Sequence, residues 1–139
     1  MVTNDLRDEE QEEFKQKIKE MTYSHVPTYE VTIWIGLKDG YAGWVHPIDD
    51  VDRICQAYCN KVGLCVTVTE THYIYTNGQE PGASIGLINY PRFPSQSYKI
   101  KEHAFILAQK LLLGLKQYRC SIITPELTYL LENPNAPSS

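Results

Sequence analysis

Two glycine-rich segments carry the side chains best suited to hold a small molecule. KDGYAGWVH (38–46) offers Lys38, Asp39, Tyr41, Trp44 and His46, and TNGQEPG (76–82) offers Asn77, Gln79 and Glu80. Phenol and indole rings stack on flat ligands, an ammonium meets an anionic group, and side-chain amides add directional hydrogen bonds. Glycines 40, 43, 78 and 82 let backbone approach a ligand closely. The expected ligand-binding set is Lys38, Tyr41, Trp44, His46, Asn77 and Gln79. The same residues also read as ordinary turn chemistry, with Trp44 packed over the start of a helix.

Other chemistry is sparser. Neither G-x-x-x-x-G-K-[ST] nor G-x-G-x-x-G occurs, so a phosphate would rest on loop amides and Lys38. Glu70 and His72 stand two apart in LCVTVTETHYIY and form a candidate acid–base pair. They lack a nucleophile, because Ser84 is in no recognisable elbow. Cys55, Cys59, Cys65 and Cys120 are not at close zinc-binding spacings and read as small hydrophobes in a reducing compartment. No catalytic residue, metal site or cofactor is assigned from these patterns.

The elements that must position these groups follow from periodicity. Residues 5–22 predict an acidic helix with a thin stripe of Phe14, Ile18 and Met21. It reads equally as a solvated helix and as an arm that packs on a partner. Residues 29–37 alternate, placing Val31, Ile33, Ile35 and Leu37 on one face. Pro47 then starts a helix whose stripe is Ile48, Val51, Cys55, Tyr58 and Val62, stopped by Gly63. Strands are predicted at 64–75 and 83–90, with a turn over 76–82. A helix over 98–116, capped by Ser95 or Ser97, buries Ile100, Ala104, Leu107, Ala108, Leu111 and Leu115. A strand at 118–123 follows, and LTYLL at 127–131 offers a short fifth.

The order is β-α-β-β-α-β behind an N-terminal helix. This predicts an α+β, ferredoxin-like fold, a four-stranded antiparallel sheet covered on one face by two helices. Right-handed crossovers bring the 38–46 and 76–82 loops to one end and the 89–95 loop to the other. Strict alternation puts Glu70 and His72 on the helix-covered face, where an ionised carboxylate is costly. Either a bulge resets the register or the strand runs beyond the helices. The uncovered face gathers hydroxyls and rings, and Trp34, Tyr73, Tyr75, Ile88 and Tyr90 on it are the expected oligomer interface, of a dimer or a trimer. The expected organisation is an acidic arm at 1–25, the domain at 26–132, and a disordered tail at 133–139.

Charge narrows the partners. The net charge is −4, and residues 1–25 hold seven acids against four bases. An acidic chain without a dense Lys/Arg cluster argues against a nucleic-acid polymer. The opening residues are acidic and no apolar stretch is long enough to span a bilayer, which predicts a cytoplasmic protein with no membrane partner. The element order is similar to that of small oligomeric ferredoxin-like proteins such as the PII signalling and CutA groups. The resemblance covers element order alone and implies a fold, with no functional residue carried over. The function expected is a non-enzymatic, oligomeric module that senses or sequesters a polar, nucleotide-like small molecule. The alternatives are a small enzyme using Glu70 with His72 (or His46), and an adaptor or inhibitor acting through the acidic helix.

Overall fold

The computed structural model describes residues 7–39 and 43–137. Among them the chain forms three helices and a five-stranded antiparallel sheet. The elements are α1 (Asp8–Lys17), β1 (Glu30–Gly36), β2 (Lys38–Asp39), β3 (Trp44–Val45), α2 (Ile48–Val62), β4 (Thr67–Tyr75), β5 (Gly78–Ile88), α3 (Ser97–Gly114), β6 (Arg119–Ile123) and β7 (Thr128–Glu132). The large sheet runs β4-β5-β1-β6-β7, and β2 pairs with β3 in a small separate hairpin. The inner order β4-β5-β1-β6 is the one that two right-handed crossovers require.

The sheet is five-stranded where four strands were expected. Tyr129 and Leu131 of β7 pack against the core, with the Tyr129 ring edge-on to Phe105 at 5.0 Å. Lys101 Nζ donates to the Tyr129 hydroxyl at 2.7 Å. Helix α3 is thus wide enough to cover a further strand, which a short apolar run does not reveal by itself.

Cross-strand register defines two faces. Val68, Ile85, Ile33, Ile122 and Tyr129 form one row across all five strands, beneath the helices. Thr69, Ser84, Trp34, Ser121 and Leu130 form the neighbouring row on the open face. Val31, Ile33, Ile35 and Leu37 are buried as their alternation predicts, and so are Ile100, Ala104, Leu107, Ala108, Leu111 and Leu115 on α3. Helix α2 buries Val51, Cys55 and Tyr58, but Val62 stays exposed at its last turn. Pro47 is the residue before α2 rather than its first, and Gly63, at φ 73°, closes the helix with its N–H on the Cys59 carbonyl.

Several boundaries move for identifiable reasons. The acidic helix ends at Lys17, not residue 22, and none of its residues is buried. Lys19 and Glu20 take positive φ there, since no packed face holds the helix on. The hairpin is tighter than expected, with the β4–β5 ladder continuous from Thr67↔Gly86 to Tyr75↔Gly78. Pro81 is accommodated inside β5. Its carbonyl accepts from Leu37 N–H, so its nitrogen faces the side where β1 has ended and no ladder donor is needed. Helix α3 starts after Gln96, without the expected serine cap. Ser95 instead donates its N–H to Asn89 Oδ1 at 2.9 Å. After β7, Asn133 N–H returns to the Tyr118 carbonyl and Arg119 donates to that of Pro137.

All four cysteines are free. Burial pushes the Cys55 thiol up to about 12 and that of Cys120 up to about 11. The thiolate is the reactive form. At pH 8 an aromatic disulfide reagent is therefore expected to modify exposed Cys65 first, while Cys55 and Cys120 react only on unfolding. Mass spectrometry of a labelling time course would show this, and rapid native labelling of Cys55 would contradict the core described.

Candidate functional site

The two glycine-rich segments do meet at one end of the sheet, called here the hairpin end. Leu37 N–H donates to the Pro81 carbonyl at 3.1 Å, and His46 N–H to the Leu37 carbonyl at 2.8 Å. Gln117 Nε2, in the turn after α3, donates to the Lys38 carbonyl at 2.8 Å. Within 38–46, the described residues Lys38 and Asp39 pair with Val45 and Trp44. Gln79 likewise lies in β5 rather than in a turn.

The individual side chains differ in availability. Lys38, Asn77 and Gln79 are exposed, and Trp44 keeps 55% of its surface. Tyr41 lies outside the described residues. His46 is buried. Its Nδ1 lies 3.2 Å from Asp50 Oδ2 and its Nε2 lies 4.0 Å from Asp39 Oδ2. The Trp44 ring covers it edge-on at 4.4 Å. Arg53 donates to Asp50 Oδ1 at 2.7 Å. That bond, then the one from His46, holds the Asp50 carboxyl below the usual range. His46 is thus a fastener between the small hairpin and the start of α2.

Glu70 and His72 share the helix side with Ala83 and Pro81, yet both are exposed. The ladder has no bulge, so the conflict is relieved the second way: edge strand β4 outruns the helical layer. The carboxylate stays in water, where no burial has to be offset.

Two roomy cavities lie at the opposite end, where the sequence by itself marks only the close of a strand. One, of about 630 Å³, is walled by the 26–29 linker, Asn89, residues 94–97 and Glu126. Asn89 ties its walls together, donating from Nδ2 to the Pro27 carbonyl at 2.9 Å and accepting Ser95 N–H at Oδ1. The Tyr29 hydroxyl reaches Glu126 Oε1 at 3.4 Å. Burial first, and Glu126 next, push the Tyr29 phenol up.

A second cavity of about 560 Å³ shares the Pro94–Ser95 wall. Its lining is more apolar, with Leu64, Leu87, Ile100, Tyr90, Phe93 and His103. Tyr90, expected on the open face, follows the end of β5. It bridges to Phe93, and its hydroxyl lies 3.5 Å from Cys65 Sγ. His103 is oriented by the Tyr58 hydroxyl at 2.8 Å from its Nδ1. The signal for this end was NYPRFPS itself, two rings and an amide in a loop stiffened by two prolines. Of the remaining interface candidates, Trp34 and Tyr73 are half-buried on the open face, while Tyr75 and Ile88 are exposed there.

These features define a mixed α+β domain with one helix-covered face, one open face and paired cavities at a strand end. Two solved structures share its architecture. A phage SAM lyase in complex with S-methyl-5'-thioadenosine aligns with a TM-score of 0.69 at 16% identity, covering 84% of this chain and 98% of that chain. A phage SAM lyase in the apo state aligns at 0.59 and 16% identity, covering 78% and 92%. A DUF3240 family protein from Shewanella baltica reaches only 0.39 and carries no argument. At these identities the likeness is one of fold. No protein-family model and no curated protein matches the chain. Among the described residues no helix is long and apolar enough to cross a membrane.

Proposed function

We propose that this chain is a small ferredoxin-like enzyme, extended by an edge strand, that binds S-adenosylmethionine or a close analogue and opens it as a lyase. The observation that carries the reading is the pair of neighbouring cavities on either side of the Pro94–Ser95 wall. The apolar one, with Tyr90 and Phe93, suits a flat base, and the polar one, with the Glu126 carboxylate, suits a cationic amino-acid arm. Each is within the size range of small-molecule sites. The fold likeness, over 84% of this chain, to a lyase solved in complex with S-methyl-5'-thioadenosine supports it.

The chemistry asks little of the protein. With the ammonium held at Glu126, the arm's own carboxylate attacks Cγ, the Cγ–S bond breaks, and its electron pair returns to sulfur. A neutral thioether and a lactone result, with no water consumed and no proton moved. Positioning the arm and excluding water are then the main contributions. Assembly through the open sheet face, by Trp34, Tyr73, Tyr75 and Ile88, belongs to the same proposal.

The test is chromatography of S-adenosylmethionine incubated with the protein, with mass identification of both products. Release of S-methyl-5'-thioadenosine is expected. Charge-assisted bonds are worth about 1.5–3 kcal/mol, so Glu126→Gln is expected to raise KM about 10- to 100-fold. Loss of turnover in Glu70→Gln, with Glu126→Gln unaffected, would move the catalytic group to the β4 edge. A second reading, a non-catalytic binder using Lys38, Trp44, Asn77 and Gln79, is favoured by the exposure of those four at the hairpin end. Binding without product, lost in Trp44→Ala, would select it.

A further inference from the structure

The acidic helix plays no part in the activity above, and it is poorly supported where it stands. Ten-residue α1 carries Asp8, Glu9, Glu10, Glu12 and Glu13 against Lys15 and Lys17, and buries none of its residues. A helix this short is marginal in water without a packed face. Its one aromatic ring, Phe14, meets the Tyr23 ring edge-on and stays 44% exposed.

A surface of opposite character lies elsewhere. On the outer side of the helical layer, α2 and α3 leave a groove of about 440 Å³. Its floor is apolar, with Ile54, Tyr58 and Leu113, the last 59% exposed. Its cations are Arg53, Lys61 and Lys110, and no acid lines it. Lys110 Nζ sits 5.8 Å from the Tyr58 ring centre, which holds that charge over the floor. Nearby counter-charges are Asp50, bonded to Arg53, and Glu102, whose charge reaches the Tyr58 phenol, so Lys61 and Lys110 carry the greater share of the attraction. In a chain of net charge −4, a groove lined by three cations and no acid is a local inversion of sign.

We propose that this groove receives the acidic helix α1 of a second copy of the chain. Phe14 would enter the apolar floor while the acidic turns face Lys61 and Lys110. Three observations single out this occupant. The charges are complementary, both the floor and the helix leave apolar surface uncovered, and the chain's own α1 does not line the groove it would fill. Such an arm links copies through the helical face and leaves the open sheet face free for a separate contact.

The test uses the full chain with exposed Cys65 replaced (Cys65→Ser) and a nitroxide attached at Glu13→Cys. Spin-labelled, unlabelled-isotope protein is mixed with nitrogen-15 protein, and amide broadening is read only in the isotopic copy. Broadening is expected at Ala57, Lys61 and Leu113. It is expected to fade between about 50 and 500 mM salt, as screening shortens to a few ångströms. Lys61→Glu with Lys110→Glu should abolish it while leaving the amide spectrum of the sheet unchanged. No broadening in the mixed sample would overturn the proposal. So would broadening only when label and isotope share one chain, which would mean that α1 folds back on its own groove. Broadening centred on the open sheet face would overturn it as well.

Discussion

Replacing Ile33 with Ala is expected to destabilise the domain by about 2–5 kcal/mol, the range for large-to-small changes in a core that cannot collapse. Ile33 is fully buried in the central strand β1, opposite Ile85 on one side and Ile122 on the other. Leu107 and Leu111 of α3 belong to the same core. Removing its side chain therefore leaves a void walled by β-branched neighbours, which have few rotamers with which to fill it. Urea titration at constant m-value measures the loss. The neighbouring change Thr32→Ala, on the open face, serves as the control and should fall within about 0.5 kcal/mol. Equal effects from the two would mean that the sheet faces are reversed.

The second large effect concerns two glycines beneath tyrosine rings. A Cβ at Gly82 would stand 2.2 Å from the Tyr73 ring and 2.9 Å from the Ile35 carbonyl oxygen. A Cβ at Gly78 would stand 2.4 Å from the Tyr75 ring, and that ring supplies all of its nearest contacts. Each ring thus lies across the bare backbone of a glycine on the facing strand. Gly82→Ala is expected to cost about 1–3 kcal/mol, the usual range for overpacking. Tyr73→Ala should relieve only part of it, because the Ile35 carbonyl belongs to β1 and cannot swing away. Gly78→Ala should cost less, since exposed Tyr75 can rotate off, and adding Tyr75→Ala should leave no residual clash. A double-mutant cycle on each pair separates the cases. Full rescue at both sites would show that β1 yields more readily than a packed central strand should.

Much of the fold was legible because burial imposes a period. Val31, Ile33 and Ile35 mark one face of a strand whatever surrounds them, and the α3 stripe from Ile100 to Leu115 marks one face of a helix. Gly63 marks a helix end for a local reason, its left-handed φ. Where no buried face exists, period says little. The acidic helix stops five residues short of the end of its helix-forming run, because helix formers continue past the point where anything holds them. β7 was only half legible, because its strand is short and its support comes from Phe105, over twenty residues earlier.

The candidate sites divide in the same way. Sequence and handedness sufficed to bring 38–46 beside 76–82, since a crossover rule places loops at sheet ends. They could not say that His46 would be enclosed by Asp39, Asp50 and Trp44, which leaves Lys38, Trp44, Asn77 and Gln79 as the described groups open to a ligand. Nor could alternation decide the fate of Glu70. Its face was correctly the helix side, but whether that face is covered depends on how far α2 and α3 extend, a property of packing.

By itself, then, the sequence determined the order of the elements, the inward side of each, and which loops share an end, because these follow from local stereochemistry and the demand to bury apolar surface. Only the tertiary structure decided where the empty space lies. A cavity is what several segments fail to fill together. Asn89 bonding to Pro27 and Ser95, and Phe93 folding back on Tyr90, create one at the end that the residues, read singly, made look least promising.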